Sequence, residues 1–175
     1  CGPPEDASTQ IGALISIEHL EKVESYIELG VEEGGTILTG GTREMTGPVI
    51  ATNAGAFLRP TIIDGLDHTS RTSTEEIFGP IVTVHRFDSD EEAIEMANST
   101  EYGLAGSIWS TNIDRAHALA QQIETGIIWV NTWLHRDLRT PFGGVKNSGV
   151  GREGGNWSLG FFSEPLNVCI KHSQE

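Results

Sequence analysis

The sequence predicts an α/β fold, with an open parallel β-sheet whose strands are joined by helical crossovers. Apolar segments that alternate like strands are interleaved with segments whose apolar residues recur every three or four positions, as in amphipathic helices. Such a succession of strand, helix and strand is typical of parallel sheets. The chain has 175 residues, of which 37% are hydrophobic, and this is enough for a real core.

The first helix is predicted from about Ser16 to Glu33, because its apolar residues fall on one face. These residues are Ile17, Leu20, Val23, Ile27 and Val31. Gly34 and Gly35 end the helix. A short strand is predicted at Thr36–Leu38, followed by a loop over Gly40–Gly55.

Two further strands and two helix starts are predicted in the next segment. Phe57–Ile63 reads as a strand, although Pro60 indicates an edge or a bulge. Ser73–Glu76 is the expected start of a short helix, with its acids near the positive end of the helix dipole. Ile81–Phe87 alternates like a strand, and Asp88–Glu91 is a strong helix-start signal.

The last part of the chain continues the alternation and then changes character. A strand is predicted at Ala105–Trp109, a helix at Asn112–Ile123 and an apolar strand at Gly126–Asn131. The segment 132–157 is a long loop rich in glycine, and a long loop after a parallel strand is a usual place for ligands. A final strand at Leu166–Lys171 is available to pair with the sheet edge of another subunit.

Composition excludes several functional classes. The formal net charge of −14 argues against a nucleic-acid partner, because binders of the phosphate backbone present clustered Lys and Arg. No apolar run approaches the roughly 20 residues that span a bilayer. Cys1 and Cys169 do not form a disulfide framework, which favours a reducing, cytoplasmic setting. The six histidines lack paired ligand spacing, so no metal site is expected.

One literal motif is rejected. Gly149–Gly154 matches G-x-G-x-x-G, but a dinucleotide fingerprint needs a hydrophobic strand directly before it and an acid about 20 residues later. Neither requirement is met by the neighbouring sequence.

Three ordered stretches carry the most information. They are Glu75–Pro80, then Tyr102–Ala105 with Gly126–Asn131, then Pro141–Gly149 continuing to Glu153. In this order and spacing they resemble the C-terminal part of the catalytic domain of the aldehyde dehydrogenase superfamily. The resemblance covers essentially the whole chain, beginning with a variant of the family's Gly-Asp-Pro loop at 2–6. Residues 131–142 resemble the hydroxymuconic and aminomuconic semialdehyde dehydrogenases.

The resemblance implies an aldehyde substrate and NAD as cofactor, with NADP left open. In the family a cysteine thiolate attacks the aldehyde, hydride leaves to the nicotinamide, and a glutamate activates water. We expect both catalytic residues to lie upstream of this chain, and neither Cys1 nor Cys169 to be the nucleophile. The expected division is a catalytic-domain portion at 1–160, containing the substrate-tunnel loop 132–157, and a strand and tail at 161–175 that form a homo-oligomer.

The resemblance also assigns two cofactor-binding residues. Glu76 matches a glutamate that accepts hydrogen bonds from the nicotinamide ribose, for which a carboxylate is suited. The alternative is an acid at a helix start, which fits Glu75 better. Phe78 matches a residue that packs against the nicotinamide ring, and core packing is its alternative.

Three substrate-binding residues are expected in the long loop. Arg136 is placed to bind the distal carboxylate of a muconic semialdehyde, although it could instead pair with Asp137 on the surface. Phe142 matches an aromatic residue of the aldehyde tunnel, or it merely anchors the loop. Trp133 walls the pocket or belongs to the core.

Other loop residues are expected to support the backbone. Asn131 should orient the loop, and Lys146 and Arg152 should stabilise it. Three glycines are expected to serve tight turns with positive φ, namely Gly143, Gly144 and Gly149.

Two rival readings stay open from the sequence. One is a structural module that does no chemistry, since the chain lacks a plausible nucleophile. The other is an aldehyde dehydrogenase for an uncharged aldehyde.

Overall fold

The computed structural model describes residues 1–44 and 55–172, which form two compact units, 1–100 and 101–175. The predicted loop over Gly40–Gly55 therefore lies mostly outside the described residues. Each unit is α/β.

The first unit contains three helices and three strands among its described residues. They are α1 (Ile17–Glu32), β1 (Thr36–Thr39), β2 (Thr61–Asp64), α2 (Arg71–Thr74), β3 (Ile81–Val84) and α3 (Asp90–Asn98). The strands form one sheet in the order β1-β2-β3, in which β1 runs antiparallel to β2 and β3 runs parallel to β2. Helix α2 lies in the crossover between the two parallel strands, as predicted.

The core of the first unit lies under α1. Leu20, Val23 and Ile27 are buried on one helix face, and Ala56 and Leu58 complete the cluster. This arrangement confirms the middle of the face predicted from the apolar periodicity, whereas Ile17 and Val31 at its two ends are exposed.

The second unit contains two helices and four short strands among its described residues. They are β4 (Tyr102–Gly103), β5 (Ala105–Ile108), α4 (Ile113–Ala120), β6 (Ile127–Val130), β7 (Val145–Lys146) and α5 (Gly155–Phe162). β5 and β6 are parallel and are connected through α4, and β4 and β7 are antiparallel. The α/β crossover predicted here is confirmed.

Helix starts follow the polar residues that the sequence offers. The side chain that precedes each of α1 to α4 accepts a hydrogen bond from a backbone N–H of the first turn, as expected for an N-cap. These caps are Ser16, Ser70, Ser89 and Asn112. Within the described ranges, no helix is both long and apolar enough to cross a membrane.

Four details differ from the sequence prediction. The strands are mixed rather than all parallel, because β1 and the β4–β7 pair are antiparallel. The strand predicted from Phe57 begins at Thr61, since Pro60 cannot donate to a ladder. The predicted loop 132–157 contains β7 and the start of α5. The helix expected to start at Ser73 ends at Thr74 instead.

The predicted strand at Leu166–Lys171 is not formed within the described chain. Residues 163–172 have no regular secondary structure, and Leu166, Val168 and Ile170 are exposed. A strand whose partner is another subunit would have no ladder in a single chain, so the pairing stays a prediction.

Candidate functional site

The first candidate segment is the loop Glu75–Gly79, which follows α2 directly. The loop lies on helix α1 through contacts with Tyr26 and His19. Because α2 ends at Thr74, Glu75 is the C-cap and not a helix-start acid. The expected favourable interaction with the positive end of a helix dipole is therefore wrong for both glutamates.

Glu75 is held by two neighbours. Tyr26 donates from its hydroxyl to Oε2 at 2.6 Å, and Arg71 donates from Nε to Oε1 at 2.7 Å. The hydrogen bond from Arg71, followed by that from Tyr26, lowers the pKa of Glu75 from 4.5 to about 2. The hydrogen bond to the Glu75 carboxylate raises the pKa of Tyr26 in turn. Glu75 therefore has a structural role.

Glu76 differs from Glu75 in its exposure and in its hydrogen-bond partners. Its side chain is exposed, and no hydrogen bond or ion pair joins it to another residue that the structure describes. A free carboxylate retains its full acceptor capacity, so this side chain is available to a ligand with paired hydroxyls.

Phe78 presents its ring to solvent two residues further on. Its side chain is 75% exposed, so it does not pack in the core of its own unit. Its backbone has φ 60°, which is unfavourable for a residue with a Cβ. Its carbonyl accepts a hydrogen bond from Nε2 of His19 at 2.8 Å, and the two rings meet edge to face.

The second candidate segment, in the second unit, brings Arg136 and Phe142 together. The Arg136 guanidinium lies 4.0 Å from the centroid of the Phe142 ring, which is within the range of a cation–π contact. Nη2 of Arg136 donates to Oε1 of Glu153 at 2.6 Å. Phe142 and Glu153 also exchange two backbone hydrogen bonds of 2.8 Å, so the three residues form one cluster.

The alternative partner proposed for Arg136 is used elsewhere. Asp137 pairs with Arg139, and this lowers the pKa of the aspartate. Arg136 is one-third exposed, at 34%, and makes no other hydrogen bond with the described residues than that to Glu153. Since a guanidinium has five N–H donors, most of its hydrogen-bonding capacity is free.

Trp133 lies near this cluster in sequence but contacts a different residue. Its ring meets that of Trp129 edge to face at 5.0 Å, and the side chain is 58% exposed. Trp129 is buried and donates from its indole to the carbonyl of His135. Trp133 is thus supported by a buried residue without being buried itself, and its role as a pocket wall stays a prediction.

A cleft of about 360 Å³ opens beside Phe142 in the second unit. Its lining includes Leu104, Phe142 and Phe161, together with the glycine-rich turn 148–151 and Glu153. Such a combination of apolar surface with a few polar groups is typical of small-molecule sites.

The glycines of the loop are required for two different reasons. Gly149 has a positive φ of 155°, as predicted. Gly143 and Gly144 do not have positive φ, so that prediction is wrong for them. A Cβ on Gly143 would lie 2.8 Å from the carbonyl oxygen of Gly151, and one on Gly144 would lie 2.5 Å from Cβ of Ser148. Close backbone approach is what demands these two glycines.

Polar contacts fix the ends of the loop. Asn131 exchanges two hydrogen bonds with the backbone of Ser110. Arg152 donates to the carbonyls of Gly144 and Gly151, and Lys146 forms an ion pair with Glu124 at 2.6 Å. Asn131 and Arg152 thus hold backbone groups in place, and Lys146 binds an acidic side chain at the surface.

The two cysteines are exposed and have no catalytic partner in the described chain. The thiol of Cys1 contacts the carbonyl of Leu58, and that of Cys169 contacts the side chain of Asn167. Within residues 1–44 and 55–172, no group of three or more His, Cys, Asp or Glu side chains is placed to hold a metal ion.

Sequence reasoning missed three residues of these clusters. His19 and Tyr26 hold the first loop, and Glu153 pairs with Arg136. The seven-residue spacing of His19 and Tyr26, which puts them on one helix face, was a usable signal. Nothing in the sequence pairs Glu153 with an arginine 17 positions earlier.

Comparison with known proteins gives a consistent result. The family model described as "Aldehyde dehydrogenase family" matches residues 1–168. The chain is 51% identical to the 2-hydroxymuconic semialdehyde dehydrogenase of Pseudomonas sp. (strain CF600) over 97% of its own length and 35% of that protein. It is also 51% identical to a 2-aminomuconic 6-semialdehyde dehydrogenase of Pseudomonas sp., over 98% of this chain and 35% of the relative.

A solved structure shares the fold. The betaine aldehyde dehydrogenase of Staphylococcus aureus, in complex with NAD+, matches with a TM-score of 0.84 and 40% identity, over 90% of this chain and 30% of that chain. The chain thus spans about a third of the length of the relatives it matches.

Proposed function

This chain belongs to the aldehyde dehydrogenase family, and we propose that it is the C-terminal segment of an enzyme that oxidises an aldehyde to a carboxylic acid with NAD. The relatives that it resembles are named as dehydrogenases of muconic semialdehydes, and an aldehyde dehydrogenase of the same fold is known with NAD+ bound. A cytoplasmic setting goes with this proposal. The nucleophilic cysteine and the general-base glutamate are proposed to lie in the part of the enzyme upstream of Cys1.

The loop Glu75–Gly79 fits the proposed cofactor. Glu76 offers an unpaired carboxylate for the two hydroxyls of a ribose, and Phe78 offers an exposed ring for a flat heterocycle. When bound, the nicotinamide accepts hydride from the substrate. The contribution of these two residues is to bind and orient the cofactor, not to react.

The proposed substrate class is an aldehyde with a carboxylate at its far end. The observation that carries this proposal is the Arg136 guanidinium, which lies over the Phe142 ring and already holds the carboxylate of Glu153. The remaining N–H donors of Arg136 suit a second carboxylate through charge-assisted hydrogen bonds. Phe142, which lines the cleft, would contact the unsaturated carbon chain, and Trp133, which is exposed in the same loop, is proposed as a further wall of its path.

Substitution of Arg136 tests the substrate class. In the full-length enzyme, Arg136→Ala should raise KM for a muconic-type semialdehyde by about tenfold or more, because a charge-assisted hydrogen bond is lost. KM for an uncharged aldehyde should change little. Arg139→Ala is the matched control, because Arg139 is exposed and pairs with the adjacent Asp137. Equal effects of Arg136→Ala on both aldehydes would favour an enzyme for uncharged substrates.

The rival reading as a structural module has its own test. NADH formation by the 175-residue chain alone, at a confirmed intact mass, should be absent. Turnover by this chain would contradict the placement of the nucleophile upstream, and Cys1→Ser would then identify whether Cys1 is responsible.

We also propose that Leu166–Lys171 pairs with a sheet edge of a second subunit. The alternate residues Leu166, Val168 and Ile170 are all apolar and exposed, which is the pattern of a strand with one face to bury. Val168→Asp should shift the full-length enzyme to a smaller species in size-exclusion chromatography with light scattering. An unchanged mass would remove this segment from the interface.

A further inference from the structure

One face of helix α1 contacts both ends of the loop that carries Glu76 and Phe78. Tyr26 donates its hydroxyl to Glu75 at 2.6 Å, and His19 donates from Nε2 to the Phe78 carbonyl at 2.8 Å. Between them on the helix, Val23 is fully buried and lies under Gly79, where a Cβ would come within 2.6 Å of it. The loop is thus fastened before Glu76, at Glu75, and after it, at Phe78 and Gly79.

The two fastening points lie at different positions along α1. His19 and Tyr26 are seven residues apart, or about 10 Å along the helix axis. The loop is therefore held at two separate points, at Glu75 directly before Glu76 and at the carbonyl of Phe78.

The backbone of Phe78 needs this support. A left-handed φ of 60° is uncommon for a residue with a side chain, and such a conformation persists when neighbouring contacts determine it. The His19 hydrogen bond fixes the carbonyl of that same residue, and its ring meets the Phe78 ring at 6.3 Å. His19 thus contacts both the carbonyl and the ring of Phe78.

We propose that His19 and Tyr26 are positioning residues for the cofactor-binding loop, which hold Glu76 and Phe78 in the conformation that the nicotinamide half of NAD requires. The proposal rests on the proposed function of these two residues. It adds that helix α1 arranges them before the cofactor arrives, so that binding incurs little ordering cost.

The rigidity of the loop Glu75–Gly79, measured in the absence of cofactor, tests the proposal. In the 175-residue chain, backbone NMR order parameters for Glu76–Phe78 should be near the rigid value of about 0.85. The double variant His19→Leu/Tyr26→Phe should lower them toward the flexible value of about 0.6, while those of strand β2 stay constant. His19→Gln, which retains an N–H donor, should restore most of the order that His19→Leu removes.

Cofactor affinity gives the second readout. In the full-length enzyme, the double variant should raise the Kd for NAD about tenfold, since two hydrogen bonds that order the loop are lost. Glu28→Gln, an exposed change on the same helix, is the matched control.

The two readouts separate the two hypotheses. Loop order that is unchanged in the double variant would overturn the positioning role, whatever the affinity for NAD. If loop order falls but neither the double variant nor Glu76→Gln changes the Kd for NAD, the loop is fastened as proposed and its assignment to the cofactor is wrong. Order and affinity that fall together, with rescue by His19→Gln, support both.

Discussion

The two candidate segments, one in each unit, are held by different means. The loop Glu75–Gly79 lies on helix α1 through hydrogen bonds to Tyr26 and His19 and through packing of Gly79 on the buried core residue Val23. The loop 132–157 has almost no buried side chains, and close backbone approach and polar pairs at its surface hold it. Packing thus maintains the proposed cofactor residues, whereas glycines and ion pairs maintain the proposed substrate residues.

This difference has a consequence for function. A dehydrogenase binds the same cofactor with every substrate, so its cofactor-binding residues benefit from a rigid support. Substrate specificity differs between related enzymes, and the side chains of a loop held by surface pairs can be replaced without disturbing a core. The comparison predicts that core changes affect the first loop severely and that changes in the second loop are milder and local.

The largest effect should come from Leu20, which is fully buried on the inner face of α1. Leu20→Ala should reduce the free energy of unfolding of the chain by about 2–5 kcal/mol, because a cavity remains in the core. Ile15→Ala is the control, since Ile15 is 91% exposed and should change stability by less than about 0.5 kcal/mol. Urea denaturation monitored by circular dichroism measures both. Similar losses in the two variants would mean that α1 does not organise the core.

The second effect concerns the backbone of the other loop. A Cβ on Gly126 would collide with the carbonyl of Gly143, so Gly126→Ala must displace the middle of the loop 132–157. We expect a loss of about 1–3 kcal/mol in the free energy of unfolding. Gly12→Ala is the matched control, because nothing lies within 4 Å of a Cβ there. An unchanged free energy of unfolding in Gly126→Ala would show that the loop moves aside without cost.

The first unit illustrates what the sequence predicts well. The apolar spacing of Leu20, Val23 and Ile27 identified the buried face of α1, because a helix repeats every 3.6 residues. The position of α2 was missed by three residues, since Ser70 and Ser73 are both acceptable caps and only the fold selects Ser70. The helical crossovers correctly indicated the parallel pairs β2–β3 and β5–β6, whereas the antiparallel direction of β1 was beyond reach, as alternation is the same in both kinds of pair.

The two candidate segments were predictable to different extents. Glu76, Phe78, Arg136 and Phe142 were proposed from a family resemblance, and the structure puts Arg136 against Phe142. The supporting residues His19, Tyr26 and Glu153 were not proposed. Their contacts join positions 59, 49 and 17 residues apart, and such pairs depend on the tertiary fold rather than on local pattern.

A smaller effect should appear as acid sensitivity of the first loop. The pKa of Glu75 is lowered from 4.5 to about 2 by Arg71 and Tyr26, so its carboxylate stabilises the folded chain fully above pH 4.5. That contribution is lost as the pH falls toward 2. Glu75→Gln should remove this part of the pH dependence.

Other carboxyls contribute to acid sensitivity as well, and the pKa values of Asp64 and Asp67 are also lowered by hydrogen bonds. The quantity to measure is therefore the difference in thermal midpoint between the parent chain and Glu75→Gln, followed from neutral to acidic pH. The difference should shrink as the solution becomes acidic. A constant difference would mean that Glu75 is not ionised in its contacts with Arg71 and Tyr26.

The smallest effect should come from removing the ion pair between Arg136 and Glu153 in the loop 132–157. Arg136 and Glu153 are 34% and 59% exposed, and a pair so accessible to water should contribute about 0.2–1 kcal/mol to the free energy of unfolding. A double-mutant cycle with Arg136→Leu and Glu153→Gln measures this coupling, which should weaken with added salt. The pair of Asp137 and Arg139 provides a comparison within the same loop.

The size of this coupling bears directly on substrate recognition. A weak pair allows a carboxylate ligand to share or replace Glu153 at Arg136 at little energetic cost. A coupling of about 3 kcal/mol or more, as in buried pairs, would mean that Glu153 holds Arg136 too firmly to be exchanged. In that case the second loop would be as firmly fixed as the first, and Glu153 would serve to neutralise Arg136 rather than to orient it toward a substrate.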